Sequence, residues 1–263
     1  ARGLLTPEQV DFYEANGYLV VRGNLPAPDC EAYLRRAQDI LQGRVPAAAG
    51  MQVVRDIGCI RAGRRETSEL TVNKIARTEG DAVLSGYARH PALLRLVPAW
   101  TGRVGAKAVP FSSMVANKPP DAGSGSSRHP PHQDLWYWPL RPASLMVGAW
   151  TALEPCTRAN GCLFVLPGSH RGPLEPHGRP GDGEVNAGFV GVEGGCDERD
   201  VERARYAWLE MRPGDTVFFH PLLKHGSGRN STGGTRKAIS VHYASTDCVY
   251  FDARRDPAQR GQA

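Results

Sequence analysis

The sequence predicts a mainly β protein with flanking helices, built on a double-stranded β-helix (jelly roll). Three observations lead there. From about Val104 onward, short apolar runs alternate with Gly- and Pro-rich turns. The 30 Gly and 21 Pro of the 263 residues favour many turns over long helices. Chemically distinctive residues lie on two strands far apart in the chain, which a rolled-up sheet can bring together. A chain of this length suits one unit, 1–263, with helical support over about 1–100 and the jelly-roll core over about 104–251.

Taken in order, Thr6-Pro7-Glu8-Gln9 starts a helix, with Thr6 as N-cap, Pro7 in the first turn and Gln9 closing a capping box. Gly17 ends it before the strand-like Tyr18-Leu-Val-Val-Arg22. A second helix over about 29–41 carries Tyr33, Leu34, Ala37 and Leu41 at helical spacing. Residues 50–77 read as a polar, irregular loop, with Arg61, Arg64 and Arg65 near Glu66 and Glu69; an arm over a substrate mouth is the alternative. A third helical segment, about 81–100, is interrupted at Pro91. Strands are expected over 104–116, 135–138, 144–153, 162–166, 216–220 and 237–244, with loops over 119–127 and 172–203.

Composition narrows the class. Hydrophobic residues at 41% and charged residues at 22% are ordinary for a globular chain. No apolar run approaches the roughly 20 residues that span a bilayer. The six cysteines include no Cys-x-x-Cys pair and are expected as reduced thiols. A net charge of +5 suits an anionic partner, but the basic residues are scattered. A phosphate-bearing small molecule suffices, and a nucleic acid is not required. No secretory signal or Ser-Lys-Leu ending is seen, and the oligomeric state is not legible.

The chemistry begins at His132-Gln133-Asp134. In an extended segment alternate side chains share a face, so His132 and Asp134 can grip one ion while Gln133 points elsewhere. His225 follows an apolar strand, and Ser227 and Arg236 stand two and eleven residues beyond it. Two imidazoles and one carboxylate fill one face of a six-coordinate metal and leave open positions, the arrangement of a non-haem Fe(II) oxygenase that also takes dioxygen. Arg236 can hold the far carboxylate of 2-oxoglutarate bidentately, with Ser227 donating a hydroxyl hydrogen bond. Four other histidines compete for the distal ligand position: His170, His177, His220 and His242. Pro221 follows His220 directly, and His225 is preferred. Arg236 has a structural alternative in an ion pair with Asp215. Gln133 faces the substrate mouth or ties neighbouring loops, and Trp136, Tyr137 and Trp138 suit core packing.

Four segments carry a further likeness: Asn117-Lys-Pro-Pro-Asp121, Ser127-Arg-His-Pro-Pro-His132-Gln-Asp134, Asn160-Gly-Cys-Leu-Phe-Val-Leu-Pro-Gly-Ser-His170, and Gly214-Asp-Thr-Val-Phe-Phe-His-Pro-Leu-Leu-Lys-His225-Gly-Ser-Gly228. Over about Leu5 to Phe251 the chain resembles the phytanoyl-CoA dioxygenases among the Fe(II)/2-oxoglutarate oxygenases. The resemblance implies metal ligands His132, Asp134 and His225. It places Lys74, Met114, Trp150, Ser227 and Arg236 around 2-oxoglutarate. It implies 2-hydroxylation of a 3-methyl-branched acyl-CoA such as phytanoyl-CoA, giving a 2-hydroxyacyl-CoA, succinate and CO2. In halogenases of this superfamily a small residue takes the carboxylate position, so an intact Asp134 argues for hydroxylation. The animal family is peroxisomal, which sets the expected compartment of a eukaryotic protein; otherwise it is the cytoplasm. Arg64, Arg65, Lys118 and Arg128 are candidate contacts to the CoA head. Three alternatives stay open: a hydroxylase of another acyl thioester or small metabolite, a non-catalytic lipid-binding jelly roll, and a zinc hydrolase.

Overall fold

The computed structural model describes residues 4–64, 66–102, 107–121, 127–178, 189–193 and 205–252. Helix α1 (Pro7–Asn16) carries the expected capping box: Thr6 Oγ1 accepts from the Gln9 amide at 3.3 Å, and Gln9 Oε1 accepts from the Thr6 amide at 2.9 Å. Gly17, at φ 81°, takes the left-handed conformation that ends the helix. Strand β1 (Tyr18–Val21) and helix α2 (Ala27–Leu41) follow.

The stretch expected as an irregular loop instead holds β2 (Gln52–Arg55), α3 (Ile57–Arg61) and β3 (Val72–Ala76). Both strands are too short and too polar to announce themselves. They form because β3 finds an edge to pair with, Lys74 opposite Ala116. The expected helix over 81–100 is three short helices, α4 (Ser85–Ala88), α5 (Pro91–Leu94) and α6 (Pro98–Thr101). Pro91 and Pro98 can start a helix but cannot continue one, and His90 Nδ1 accepts from the Ala92 amide at the second start.

The remaining strands are β4 (Ala108–Lys118), β5 (His129–His132), β6 (Leu140–Arg141), β7 (Met146–Ala152), β8 (Leu163–Val165), β9 (His177–Gly178), β10 (Gly191–Val192), β11 (Ala207–Leu209), β12 (Thr216–Phe219), β13 (His225–Ser227), β14 (Arg236–Ser245) and β15 (Val249–Tyr250). A seven-stranded sheet runs β1-β12-β7-β14-β4-β3-β2 and a four-stranded sheet β11-β8-β13-β5. Their pairings are antiparallel, and neither sheet closes on itself. Strand β14 is buried along its whole length. Its odd positions Ile239, Val241 and Tyr243 join the helix-side core with Tyr33, Tyr87 and Trp100, while Arg236, Ser240 and His242 line a cavity. One strand thus supplies a core with one face and a polar site with the other, the consequence of a two-residue period. Neighbouring β4 repeats the division, with Val115 in the core and Met114 and Ala116 at the cavity.

Residues expected as a strand over 135–138 form a 3-10 turn, Asp134–Tyr137. The Leu135 amide donates to Pro221 O at 2.9 Å and the Trp136 amide to Gln133 O at 3.1 Å, so the chain leaves the sheet directly after the His132-Gln133 segment. That turn buries Leu135 and Trp136 and brings the Asp134 carboxylate back toward His132.

Candidate active site

His132 ends β5 and His225 begins β13, and the two are cross-strand partners with ring centroids 4.3 Å apart. Asp134 lies one turn beyond. Ligand atoms of His132, Asp134 and His225 lie within 4.8 Å of one another, and all three residues are buried. His132 Nδ1 is 3.0 Å from Pro130 O and His225 Nδ1 is 2.9 Å from Leu223 O. A carbonyl only accepts, so each Nδ1 carries the proton and each Nε2 keeps its lone pair for a metal. Those atoms stand 3.2 and 3.7 Å from Asp134 Oδ1. Two imidazole nitrogens and one carboxylate oxygen converge with no fourth ligating side chain among the described residues, which suits a metal with open positions.

Asp134 is held from behind. Its other oxygen, Oδ2, accepts from His242 Nε2 at 2.7 Å, leaving Oδ1 directed at the histidine pair. Burial works against ionisation, but the His225 and His242 imidazoles facing the carboxylate, with the hydrogen bond that His242 donates, outweigh it. The carboxyl sits well below its ordinary range. Burial also keeps His225 neutral by pushing its pKa down to about 4.

Of the rival histidines, His242 is therefore placed to orient the carboxylate. It shares a parity with Arg236 along β14, a signal present in the sequence but not used there. His220 Nδ1 accepts from the Leu222 amide, and His170 Nε2 donates to Glu14 O; neither lines the cavity. His177 Nε2 accepts from the Gln133 amide at 2.9 Å while its Nδ1 donates to Glu175 O at 2.7 Å. The Gln133 side chain is fully buried and ties two loop segments to its own, donating to Pro173 O and Leu222 O and accepting from the Glu175 amide. It spaces the two ligands from behind and does not face a substrate mouth.

The cavity, about 370 Å³, brings together all eight predicted site residues: His132, Asp134 and His225 with Lys74, Met114, Trp150, Ser227 and Arg236. Arg236 is 2% exposed. One terminal nitrogen donates to Gly161 O at 2.9 Å, and the guanidinium lies 5.4 Å from the Trp150 ring centre. Its Nε and second terminal nitrogen are buried with no partner. Such donors carry a desolvation cost until an acceptor arrives, and a carboxylate has the matching geometry. Asp215, the alternative partner, is instead bound to Arg22 at 2.7 Å and to the Gly23 amide at 2.8 Å. Gly161 makes the approach possible: it sits at φ 78°, and a Cβ there would lie 2.4 Å from Gly228 O.

Among the residues considered for a CoA head, Lys118 and Arg128 are buried. Lys118 Nζ donates to Ser127 O and, at 3.0 Å, to Gly228 O, clasping the segment before β5 to the turn after β13. Burial, then the nearby Arg236 charge, pushes its pKa well down. Arg64 is exposed and paired with Glu66 at 2.9 Å, and Arg65 lies outside the described residues. The cavity also has an aromatic section, with Tyr137, Trp138 and Phe189 in its wall. No helix among the described residues is long and apolar enough to cross a membrane.

Solved structures share this architecture. The non-haem, α-ketoglutarate-dependent epimerase SnoN of nogalamycin biosynthesis superposes with a TM-score of 0.67 at 25% identity, over 93% of this chain and 85% of that one. EvdO2 from Micromonospora carbonacea, complexed with 2-oxoglutarate, superposes with a TM-score of 0.66 at 20% identity, over 97% and 96%. The latter likeness is one of fold. Sequence relatives are nearer: a probable phytanoyl-CoA dioxygenase of Caenorhabditis elegans is 44% identical over 95% of this chain and 78% of its own length. The human peroxisomal phytanoyl-CoA dioxygenase is 44% identical over 95% and 72%. The family model for phytanoyl-CoA dioxygenase (PhyH) matches residues 13–238, and with these relatives it establishes that the chain is an enzyme belonging to the phytanoyl-CoA dioxygenase family.

Proposed function

We propose that the enzyme catalyses Fe(II)- and 2-oxoglutarate-dependent 2-hydroxylation of a 3-methyl-branched acyl-CoA such as phytanoyl-CoA. The products are the 2-hydroxyacyl-CoA, succinate and CO2. The observation that carries the cosubstrate assignment is the pair of unpartnered, buried Arg236 nitrogens in the same cavity as the His132, Asp134 and His225 donor atoms. A dicarboxylate carries an acidic group for each end of such a site. The donor set of two imidazole nitrogens and one carboxylate oxygen fits iron(II).

Iron(II), 2-oxoglutarate and dioxygen, when bound, supply the oxidising chemistry, in which 2-oxoglutarate is decarboxylated to succinate and the substrate gains a hydroxyl group. The chain supplies geometry. His132 and His225 present Nε2 because their Nδ1 protons are committed to Pro130 and Leu223, and Asp134 presents Oδ1 because His242 holds Oδ2. Arg236 and Ser227 would hold the distal carboxylate, with the Arg236 guanidinium lying over the Trp150 ring and Lys74 and Met114 in the same wall. Tyr137, Trp138 and Phe189 offer apolar surface to an acyl chain. A peroxisomal location belongs to the same proposal, supported by the names of the human and bovine relatives.

A substrate panel tests the reading. Purified protein is incubated aerobically with Fe(II), 2-oxoglutarate and phytanoyl-CoA, straight-chain acyl-CoAs or the free acids, and products are read by mass spectrometry. Preferred hydroxylation of the branched thioester is expected. Equal or better turnover of a straight-chain thioester or a polar metabolite would reassign the substrate, and absence of succinate with every substrate would point to a non-catalytic lipid-binding role.

A further inference from the structure

His129 is a half-buried residue that the metal and cosubstrate assignments leave without a task. It begins β5, opposite Ser227 of β13, and the pairing shifts register between Ser227 and His225. That shift turns His129 onto the cavity wall although it stands an odd number of residues before His132. Its ring stacks on the His132 ring, with centroids 4.1 Å apart and planes 15° from parallel, and Phe189 covers it at 4.4 Å. Its Nε2 is sealed from solvent and has no hydrogen-bond partner.

A buried, unpaired imidazole nitrogen is costly to keep. Stacking alone does not require it, since a phenyl ring stacks without a nitrogen to desolvate. The position of His129 identifies the missing partner. It is the cross-strand partner of Ser227, assigned above to the distal carboxylate, while its ring stacks on that of His132, assigned to the metal, so the ring reaches the metal end of a ligand joining the two. Such a ligand has one oxygen that neither Arg236, Ser227 nor the metal satisfies: the second oxygen of the chelating carboxylate.

We infer that His129 is a cosubstrate-binding residue, donating its Nε2 proton to the metal-chelating carboxylate of 2-oxoglutarate at the oxygen not taken by the metal. The inference rests on the cosubstrate reading above. It adds a third protein contact to Arg236 and Ser227, at the opposite end of the ligand.

The test is binding without turnover. Protein loaded with Fe(II) under anaerobic conditions is titrated with 2-oxoglutarate, following the metal-to-ligand charge-transfer absorption, and Fe(II) affinity is measured separately by chelator competition. His129→Phe keeps the stacked ring and removes the donor. The expected result is a 2-oxoglutarate dissociation constant raised about 10- to 100-fold, the scale of a hydrogen bond to a charged group, with iron affinity unchanged. His129→Gln should recover most of the loss. If His129→Phe unfolds the chain, His129→Gln against His129→Met repeats the comparison with side chains of similar length. Unchanged 2-oxoglutarate affinity in His129→Phe, equal weakening in the Gln and donor-less variants, or parallel loss of iron would each overturn the assignment, the last by showing that the ring only supports His132. Failure of the unmodified Fe(II) protein to bind 2-oxoglutarate would be a separate outcome, removing the cosubstrate reading and this inference with it.

Discussion

Removing the His242 donor while keeping its ring tests whether the Asp134 carboxylate is aimed from behind. His242 Nε2 lies 2.7 Å from Asp134 Oδ2, a short bond to a charged acceptor. The Asp134 side chain is only 11% exposed, so water has little room to replace it. Hydrogen bonds to charged groups contribute roughly 1.5 to 3 kcal/mol, and outer-shell partners of metal ligands typically change metal affinity by about 10- to 100-fold. His242→Phe should therefore weaken Fe(II) binding by about 10- to 100-fold, while His242→Gln, which still offers a donor, should lose less. Chelator competition under anaerobic conditions measures both. Metal binding by His242→Phe as tight as that of the unmodified chain, at equal thermal stability, would refute the idea that His242 orients the carboxylate.

His132→Ala, Asp134→Ala and His225→Ala should each abolish turnover and weaken iron binding, whereas His220→Ala should retain iron; anaerobic metal titration separates the two groups. Arg236→Ala should raise the 2-oxoglutarate requirement by on the order of 100-fold with iron affinity little changed, given roughly 2 to 5 kcal/mol for truncating one partner of a buried charge pair; an unchanged requirement would make Arg236 structural. Burial pushes His177 and His220 down to about 4 from an ordinary 6.5, so the unfolded chain binds protons first as pH falls. Their stabilising contribution to the metal-free protein should be complete above pH 6.5 and be lost toward pH 4, read as a falling urea midpoint. A midpoint independent of pH across that window would contradict it.

Legibility in the sequence followed the range of the forces involved. The Thr6–Gln9 capping box is a local hydrogen-bond exchange, and it stands as read. The alternation along β14 is a two-residue period, and it places Arg236 at the cavity and Ile239 in the core. The fixed offsets among His225, Ser227 and Arg236 were enough to bring these residues to one cavity with His132 and Asp134. What escaped depended on tertiary partners. Strands β2 and β3 are polar and short, and exist because β4 offers an edge. Residues 135–138 have strand-like composition, but Leu135 and Trp136 are buried by a turn. His129 was invisible because a register shift breaks the parity that a regular strand would obey. Lys118 and Arg128 resembled surface cations until burial was known, and Gln133 could be judged only when its three loop partners were in place.

The central claim joins one metal triad, one dicarboxylate cosubstrate and one branched acyl thioester in a single coupled reaction. The direct measurement is a turnover under isotopically labelled dioxygen with Fe(II), 2-oxoglutarate and phytanoyl-CoA, quantifying succinate and thioester products together by mass spectrometry. The claim predicts 2-hydroxyphytanoyl-CoA carrying one labelled oxygen, formed in step with labelled succinate. Succinate formed without any hydroxylated thioester, or a hydroxylated thioester formed without 2-oxoglutarate, would contradict it.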